Sequence, residues 1–127
     1  MRMITATLVL LLTTGLAQAQ NLTGTYDMSG FGLDGAAYSG TTEISQNGSA
    51  YTVVQDGGAL NGVGVFVDGV FSVALGDNGG GIYVGQYTLQ NNGVLSGTWA
   101  VAGDSRVGTE TLTPVGGSGG GGGGGGK

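Results

Sequence analysis

The side chains of this sequence that could do chemistry are eight carboxylates and a small set of aromatic rings, because histidine and cysteine are absent. Without these two residue types the chain lacks the commonest general base, the thiolate nucleophile and the soft metal ligands of proteins. A pair of carboxylates could still act as general acid and base. Most of the aspartates, however, fall within turn sequences, where Asp forms local hydrogen bonds. These are Asp34, Asp56, Asp68, Asp77 and Asp104.

The two glutamates fall in the middle of predicted strands. We expect Glu43 and Glu110 to point into solvent, where Arg106 could pair with either of them. Asp77, which precedes Asn78 and three glycines, resembles the start of a calcium loop, but the further oxygen ligands and the terminal Glu of such a loop are missing. The sequence therefore predicts neither an enzyme nor a metal or cofactor site.

The aromatic residues offer a different chemistry, the binding of a ligand inside a cavity. In that interpretation a small apolar ligand is held among four rings. These are Tyr51, Tyr83, Tyr87 and Trp99, with Tyr38 as a further ring of the lining. In the alternative interpretation, which the spacing favours, the rings belong to a packed core and cover the bare backbone of nearby glycines.

The elements that must position these residues are short β-strands. Turn sequences such as Asn47-Gly48, Asp68-Gly69 and Asn92-Gly93 recur at intervals of roughly 10 to 13 residues, a spacing typical of all-β sandwiches and barrels. Proline is nearly absent, and β-branched and aromatic residues abound between the turns. The predicted strands span residues 22–30, 37–46, 49–56, 60–67, 70–76, 82–90, 94–102 and 106–113.

Consecutive hairpins of this kind predict an all-β, antiparallel up-and-down meander that closes into a small barrel, with the outline of a lipocalin or an avidin. Closure removes the exposed strand edges that promote aggregation. An open meander or a two-layer sandwich is the alternative. An outer-membrane barrel fits less well, because its strands need about 9–11 residues and aromatic belts at both interfaces.

The turn at Asp68-Gly69 predicts the register of one hairpin. A two-residue turn pairs Phe66 with Phe71 and Gly64 with Val73. One face of the hairpin is then core. The opposite face is apolar too, which indicates a surface for self-association or for a partner. It carries Val63, Val65, Val67, Val70 and Ala74.

The stretch from Tyr83 to Trp99 predicts a second register. A three-residue loop over 91–93, a type I turn followed by a left-handed glycine, keeps the polar and apolar faces separate. Tyr87 then faces Gly97, and Gly85 faces Trp99. Each ring lies opposite a glycine and is expected to cover it.

The two ends of the chain differ from the middle. Residues 1–19 have the charged start, apolar run and small-residue cleavage motif of a secretory signal peptide, and residues 116–127 form a glycine-rich flexible tail. Between them, residues 20–115 form one domain, which we expect to be exported and to have no membrane span after cleavage. Arg106 and Lys127 oppose eight acidic residues in the mature chain, which argues against nucleic acid as a partner.

Several short motifs in residue order resemble a family of small exported bacterial proteins labelled fibronectin-binding proteins. The most specific are Gly93-x-Leu95-x-Gly97-x-Trp99 and Gly108-Thr109-Glu110-x-Leu112. The sequence departs from the family at Gln55, where members often carry Trp. The resemblance implies a secreted, non-catalytic protein that binds an extracellular protein such as fibronectin.

Overall fold

The computed structural model describes residues 21–116, which form eight β-strands and a short 3₁₀ turn at Asp56–Gly58. The predicted signal peptide, residues 1–19, lies outside the described residues, as does nearly all of the predicted tail. Among residues 21–116 there is no helix long and apolar enough to cross a bilayer. The strands are β1 Gly24–Phe31, β2 Ala37–Asn47, β3 Ala50–Gln55, β4 Leu60–Val67, β5 Val70–Asp77, β6 Ile82–Leu89, β7 Leu95–Val101 and β8 Gly108–Pro114.

The strands form a closed antiparallel barrel in which each one pairs with the next along the chain. Closure comes from β1 and β8, where Met28 lies opposite Leu112 and Tyr26 opposite Pro114. The prediction of an eight-stranded up-and-down barrel is confirmed, and the open meander and the two-layer sandwich are wrong. Within the described chain every strand therefore has two hydrogen-bonded neighbours.

The two predicted hairpin registers are also confirmed. Phe66 lies opposite Phe71 across the turn at Asp68-Gly69. Tyr87 lies opposite Gly97 in the second hairpin. Its three-residue loop is fixed by a hydrogen bond from the amide of Gln90 to the carbonyl of Val94, at 2.8 Å.

The prediction of which glycine each ring covers is wrong, although the strand pairing behind it is right. The Trp99 ring lies over Gly108 on the other neighbouring strand, where an added Cβ would come within 2.5 Å of the indole. Nearest to Gly85 are the ring of Tyr87 and the side chain of Val73. At Gly97 an added Cβ would overlap the carbonyl oxygen of Gln86. This glycine therefore serves close approach between backbones, as strongly bent barrel strands require.

The interior of the barrel divides into two halves. The turn half lies beside the connections at 48–49, 68–69 and 90–94, and the loop half lies beside those at 32–36, 56–59, 78–81 and 102–107. Large apolar side chains fill the turn half. They include Ile44, Val53, Phe71, Leu95 and Leu112, each at most 2% exposed.

The N-terminal segment completes the core on the side of the turn half. Leu22 is buried ahead of β1, and its carbonyl accepts a hydrogen bond of 2.6 Å from the hydroxyl of Tyr26. Tyr51 belongs to the same packed region, where its ring meets Phe71 edge-on at 5.6 Å between centroids. Most of the buried hydrophobic core thus lies in the turn half, and Met28, Val73, Leu75 and Tyr87 continue it toward the loop half.

The outer surface carries the apolar face that the sequence predicts on β4. Val63, Val65 and Val67 are 58%, 49% and 62% exposed. Ile82 and Val84 on β6 extend the exposed apolar surface. Self-association through this surface stays a prediction.

Candidate functional site

A cavity of about 300 Å³ occupies the loop half of the barrel. It extends from Met28 and Glu110 in the interior to Gly32 and Asp56 in the connecting segments. Most of its wall is apolar. The wall includes side chains from β4, β5, β6 and β7, namely Leu60, Val73, Leu75, Tyr83 and Trp99.

The floor of the cavity carries a buried carboxylate, that of Glu110 on β8. The expectation that Glu110 points into solvent is wrong, since its side chain is only 6% exposed. In β8 the positions Gly108, Glu110 and Leu112 face inward, and the threonines between them face outward. Glu43 is exposed, as expected. The strict alternation of β8 is the signal in the sequence that could have placed Glu110 inside.

Three neutral donors hold the Glu110 carboxylate. Its Oε1 accepts a hydrogen bond of 2.6 Å from the hydroxyl of Tyr38. Its Oε2 accepts a hydrogen bond of 2.5 Å from the hydroxyl of Tyr87 and one of 3.1 Å from the amide of Gln55. Gln55, the residue that departs from the resembling family, is thus buried and polar and belongs to this network. All three partners come from strands other than β8, so barrel closure itself assembles the network.

No positive charge of the described chain accompanies this carboxylate. Arg106 is the sole Lys or Arg in residues 21–116, and its guanidinium binds Asp104 at 2.8 Å on the surface. The hydrogen bonds from Arg106 hold the pKa of the Asp104 carboxyl well below its usual range. The expectation that Arg106 pairs with Glu43 or Glu110 is therefore wrong.

The two phenols of the network are strongly biased toward their protonated form. Burial raises the pKa of Tyr87, and the neighbouring charge of Glu110 raises it further. The pKa of Tyr38 is raised by burial and by its hydrogen bond to Glu110. Both hydroxyls consequently act as permanent donors to the carboxylate across the ordinary pH range.

Three aromatic rings surround the upper part of the cavity. Trp99 lies between Tyr38 and Tyr83, with ring centroids at 6.2 and 6.3 Å. The indole nitrogen of Trp99 donates to the carbonyl of Thr109 at 3.4 Å. We call Tyr38, Tyr83 and Trp99 the ring cluster.

The connection between β5 and β6 is fixed to the ring cluster through Asp77. The Asp77 carboxylate accepts hydrogen bonds from the amides of Gly79 and Gly81, at 2.9 and 2.7 Å. The second oxygen of this carboxylate accepts a hydrogen bond of 3.1 Å from the hydroxyl of Tyr83. These bonds, led by that of Gly81, lower the pKa of Asp77. The aspartate that resembled part of a calcium loop therefore organises its own turn and orients a ring of the cavity.

The structure places the four predicted ligand-contacting rings in two different places. Tyr83, Tyr87 and Trp99 line the cavity, and Tyr38 joins them there. Tyr51 lies in the turn half against Phe71 and does not line the cavity. Ligand contact by any of these rings stays a prediction. That Glu110 and Gln55 form a buried polar pair on the cavity floor was not predicted from the sequence.

The chain matches no protein-family model and no curated protein sequence. Among solved structures, it is similar to a redesigned β-barrel, mFAP1, determined in complex with DFHBI. The two chains are 20% identical, with a TM-score of 0.60, and the match covers 72% of this chain and 94% of the redesigned barrel. The likeness shows a shared barrel fold.

Proposed function

We propose that this protein is a non-catalytic barrel that binds a small ligand in the cavity of the loop half. The observation that carries the proposal is a cavity of about 300 Å³ with an apolar wall and polar groups converging on its floor. Ligand sites in proteins combine these two properties, since apolar walls supply affinity and a few fixed polar groups supply orientation.

The packing around the cavity supports this function. The turn half is filled by side chains with almost no exposure, whereas the loop half holds the cavity. The polar floor is preassembled by three hydrogen bonds that span the barrel. Such preorganisation lowers the cost of ordering side chains when a ligand binds. The redesigned barrel of similar fold, which was determined with DFHBI bound, is a precedent for the architecture.

The proposal is tested with a neutral apolar probe, N-phenyl-1-naphthylamine, whose emission rises on leaving water. Trp99 is the single tryptophan of the chain and lines the cavity, so energy transfer from it to the probe reports binding at this place. We expect saturable binding. Leu60→Phe, which narrows the cavity, should weaken binding by at least about tenfold, since added bulk in a fitted site costs 1–3 kcal/mol.

Val63→Phe is the matched control, because it adds the same kind of ring to the exposed face of the same strand. It should leave probe binding unchanged. Equal binding by the wild type and Leu60→Phe, or the absence of saturable energy transfer from Trp99, would contradict the proposal.

Fibronectin binding, which the family resemblance implies, stays a separate prediction. Surface plasmon resonance against fibronectin, with a stable barrel of unrelated sequence as control, tests it directly. Addition of a fibronectin strand to a sheet edge needs a free edge. All eight strands of the described chain are paired on both sides, so that route would require the barrel to open.

The exposed apolar face on β4 and β6 favours a further role in association, either with a second copy or with another protein. Val67 and Ile82 are unusually exposed for large apolar side chains, at 62% and 55%. Light scattering after size-exclusion chromatography of the wild type and of Val65→Lys tests self-association. A monomer in both cases would contradict self-association.

A further inference from the structure

We propose, as a refinement that rests on the ligand-binding function above, that the cavity selects a small organic ammonium ion. The ligand class follows from the charge and the surface that the site presents. A buried carboxylate forms the floor of the cavity, and three electron-rich aromatic rings line its upper part.

Glu110 is a buried carboxylate without a positive partner among residues 21–116. Burying a carboxylate is costly unless it is hydrogen-bonded and paired with a positive charge. Tyr38, Tyr87 and Gln55 supply hydrogen bonds but no charge. Arg106, the one cationic side chain in residues 21–116, is engaged with Asp104. A cation bound in the cavity would supply the missing charge.

The ring cluster consists of the ring types that bind cations. Cations bind over the faces of Trp and Tyr rings, and several rings together form the aromatic cages that recognise alkylated ammonium groups. Trp99, the ring type best suited to this interaction, lies about equally far from Tyr38 and Tyr83. The hydroxyls of both tyrosines already donate to carboxylates. Both rings line the cavity while their hydroxyls are engaged elsewhere.

The acidic residues of the chain favour the access of a cation to the cavity. Asp56 and Asp77 lie at the loop end of the barrel, and Asp56 lines the cavity. Eight acidic side chains in the described chain stand against one arginine, so the surrounding field favours the approach of cations. The apolar wall of Leu60, Val73 and Leu75 suits the hydrocarbon part of such a ligand.

The experiment compares two probes of the same shape, benzyltrimethylammonium and its neutral isostere neopentylbenzene. Binding to the full chain is followed by the change in Trp99 emission, with N-phenyl-1-naphthylamine displacement as an independent readout. We expect the cation to bind at least about tenfold more tightly than the isostere, the size of a desolvated cation–ring interaction.

Two charge-matched variants then locate the preference. Glu110→Gln keeps the shape of the buried side chain and removes its charge, and we expect it to abolish the preference for the cation. Glu43→Gln removes one charge from the outer surface and should retain the preference. If Glu110→Gln does not fold, the ratio of the affinities for the cation and its isostere in the wild type still tests the preference for the cation.

The outcomes separate this inference from the function on which it rests. If neopentylbenzene binds as tightly as the cation and Leu60→Phe blocks both, the small-ligand cavity stands and the ammonium preference is overturned. A preference retained equally in Glu110→Gln also overturns the assignment to this site. If benzyltrimethylammonium, neopentylbenzene and N-phenyl-1-naphthylamine all fail to bind, both the inference and the proposed function are overturned.

Discussion

The two halves of this barrel share the same eight strands and the same inward and outward alternation, yet one is packed and the other is hollow. In the turn half the inward positions are large and apolar, as at Phe71 and Leu95. In the loop half the inward positions include polar residues, as at Gln55 and Glu110, and glycines such as Gly85. The connections follow the same division, with 48–49, 68–69 and 90–94 beside the core and 32–36, 56–59, 78–81 and 102–107 beside the cavity.

The difference shows how a small domain can separate stability from recognition. Hydrophobic stabilisation scales with the apolar surface removed from water, and here it is concentrated at one end. Polar groups that would weaken a core are tolerated at the other end, because they satisfy one another. Among residues 21–116, no buried side-chain nitrogen or oxygen lacks a hydrogen-bond partner.

The largest expected effect comes from truncating the same residue type in each half. Leu95→Ala removes a side chain with no exposure and should lower the free energy of unfolding by about 2–5 kcal/mol, since it leaves a cavity in the packed half. Leu60→Ala should cost less than about 1 kcal/mol, because Leu60 is partly exposed beside a space that already exists. Urea denaturation measures both. Equal losses would show that the loop half is as well packed as the turn half.

A second comparison concerns two inward-facing glycines of the same hairpin. At Gly97 an alanine methyl would overlap the backbone of Gln86, so Gly97→Ala should destabilise the barrel by about 3 kcal/mol. At Gly85 the nearest atoms belong to side chains at 3.3 Å, and Gly85→Ala should cost about 1 kcal/mol or less. Thermal unfolding followed by circular dichroism distinguishes the two. A reversed order would contradict the close backbone approach at Gly97.

A third comparison uses one buried tyrosine hydroxyl from each half. Tyr87→Phe removes a hydrogen bond to the Glu110 carboxylate and should cost about 2 kcal/mol, because bonds to charged groups are the stronger ones. Tyr26→Phe removes a bond to the neutral carbonyl of Leu22 and should cost about 1 kcal/mol. Denaturant unfolding at pH 7 measures the difference. If Tyr26→Phe loses as much unfolding free energy as Tyr87→Phe, or more, the hydrogen bond to the carboxylate contributes no more than a neutral one.

The last expected effect is a pH dependence carried by the loop half. Burial and the charge of Glu110 raise the pKa of Tyr87 above its usual value of 10.0. Below pH 10 the phenol is protonated in both states, and its contribution to stability is complete. Above pH 10 the unfolded chain loses a proton that the folded chain keeps, so stability falls by about 1.4 kcal/mol per pH unit.

Unfolding between pH 9 and pH 11.5 measures this dependence. The wild type should lose stability more steeply than Tyr87→Phe, although both retain the other tyrosines. Identical slopes would contradict the link between the Tyr87 proton and the network.

Much of the fold follows from local sequence signals. The turns at Asp68-Gly69 and at 91–93 have the residues that their backbone geometry requires, and each fixes a strand register by itself. Alternation then assigns every strand residue to the inside or the outside. The chain therefore specifies its strand order and its inward set with short-range information.

The candidate site depends on information that is not local. The sequence-based prediction placed Glu110 in solvent. Its position in β8 obeys strand alternation, and the donors that offset the cost of burying its charge come from other strands. Tyr51 and Tyr83 both face inward. They differ in distance from the tight turns, so only Tyr83 reaches the cavity.

The pairing of β1 with β8 also determines how the protein can be attached to something else. Both described ends of the chain lie beside the turn half, where the amide of Val115 bonds to the carbonyl of Thr25 at 2.9 Å. The cavity opens at the opposite end, among the longer loops. A fusion partner or a solid support joined directly at residue 21 or residue 116 would therefore lie beside the turn half, on the side away from the cavity entrance.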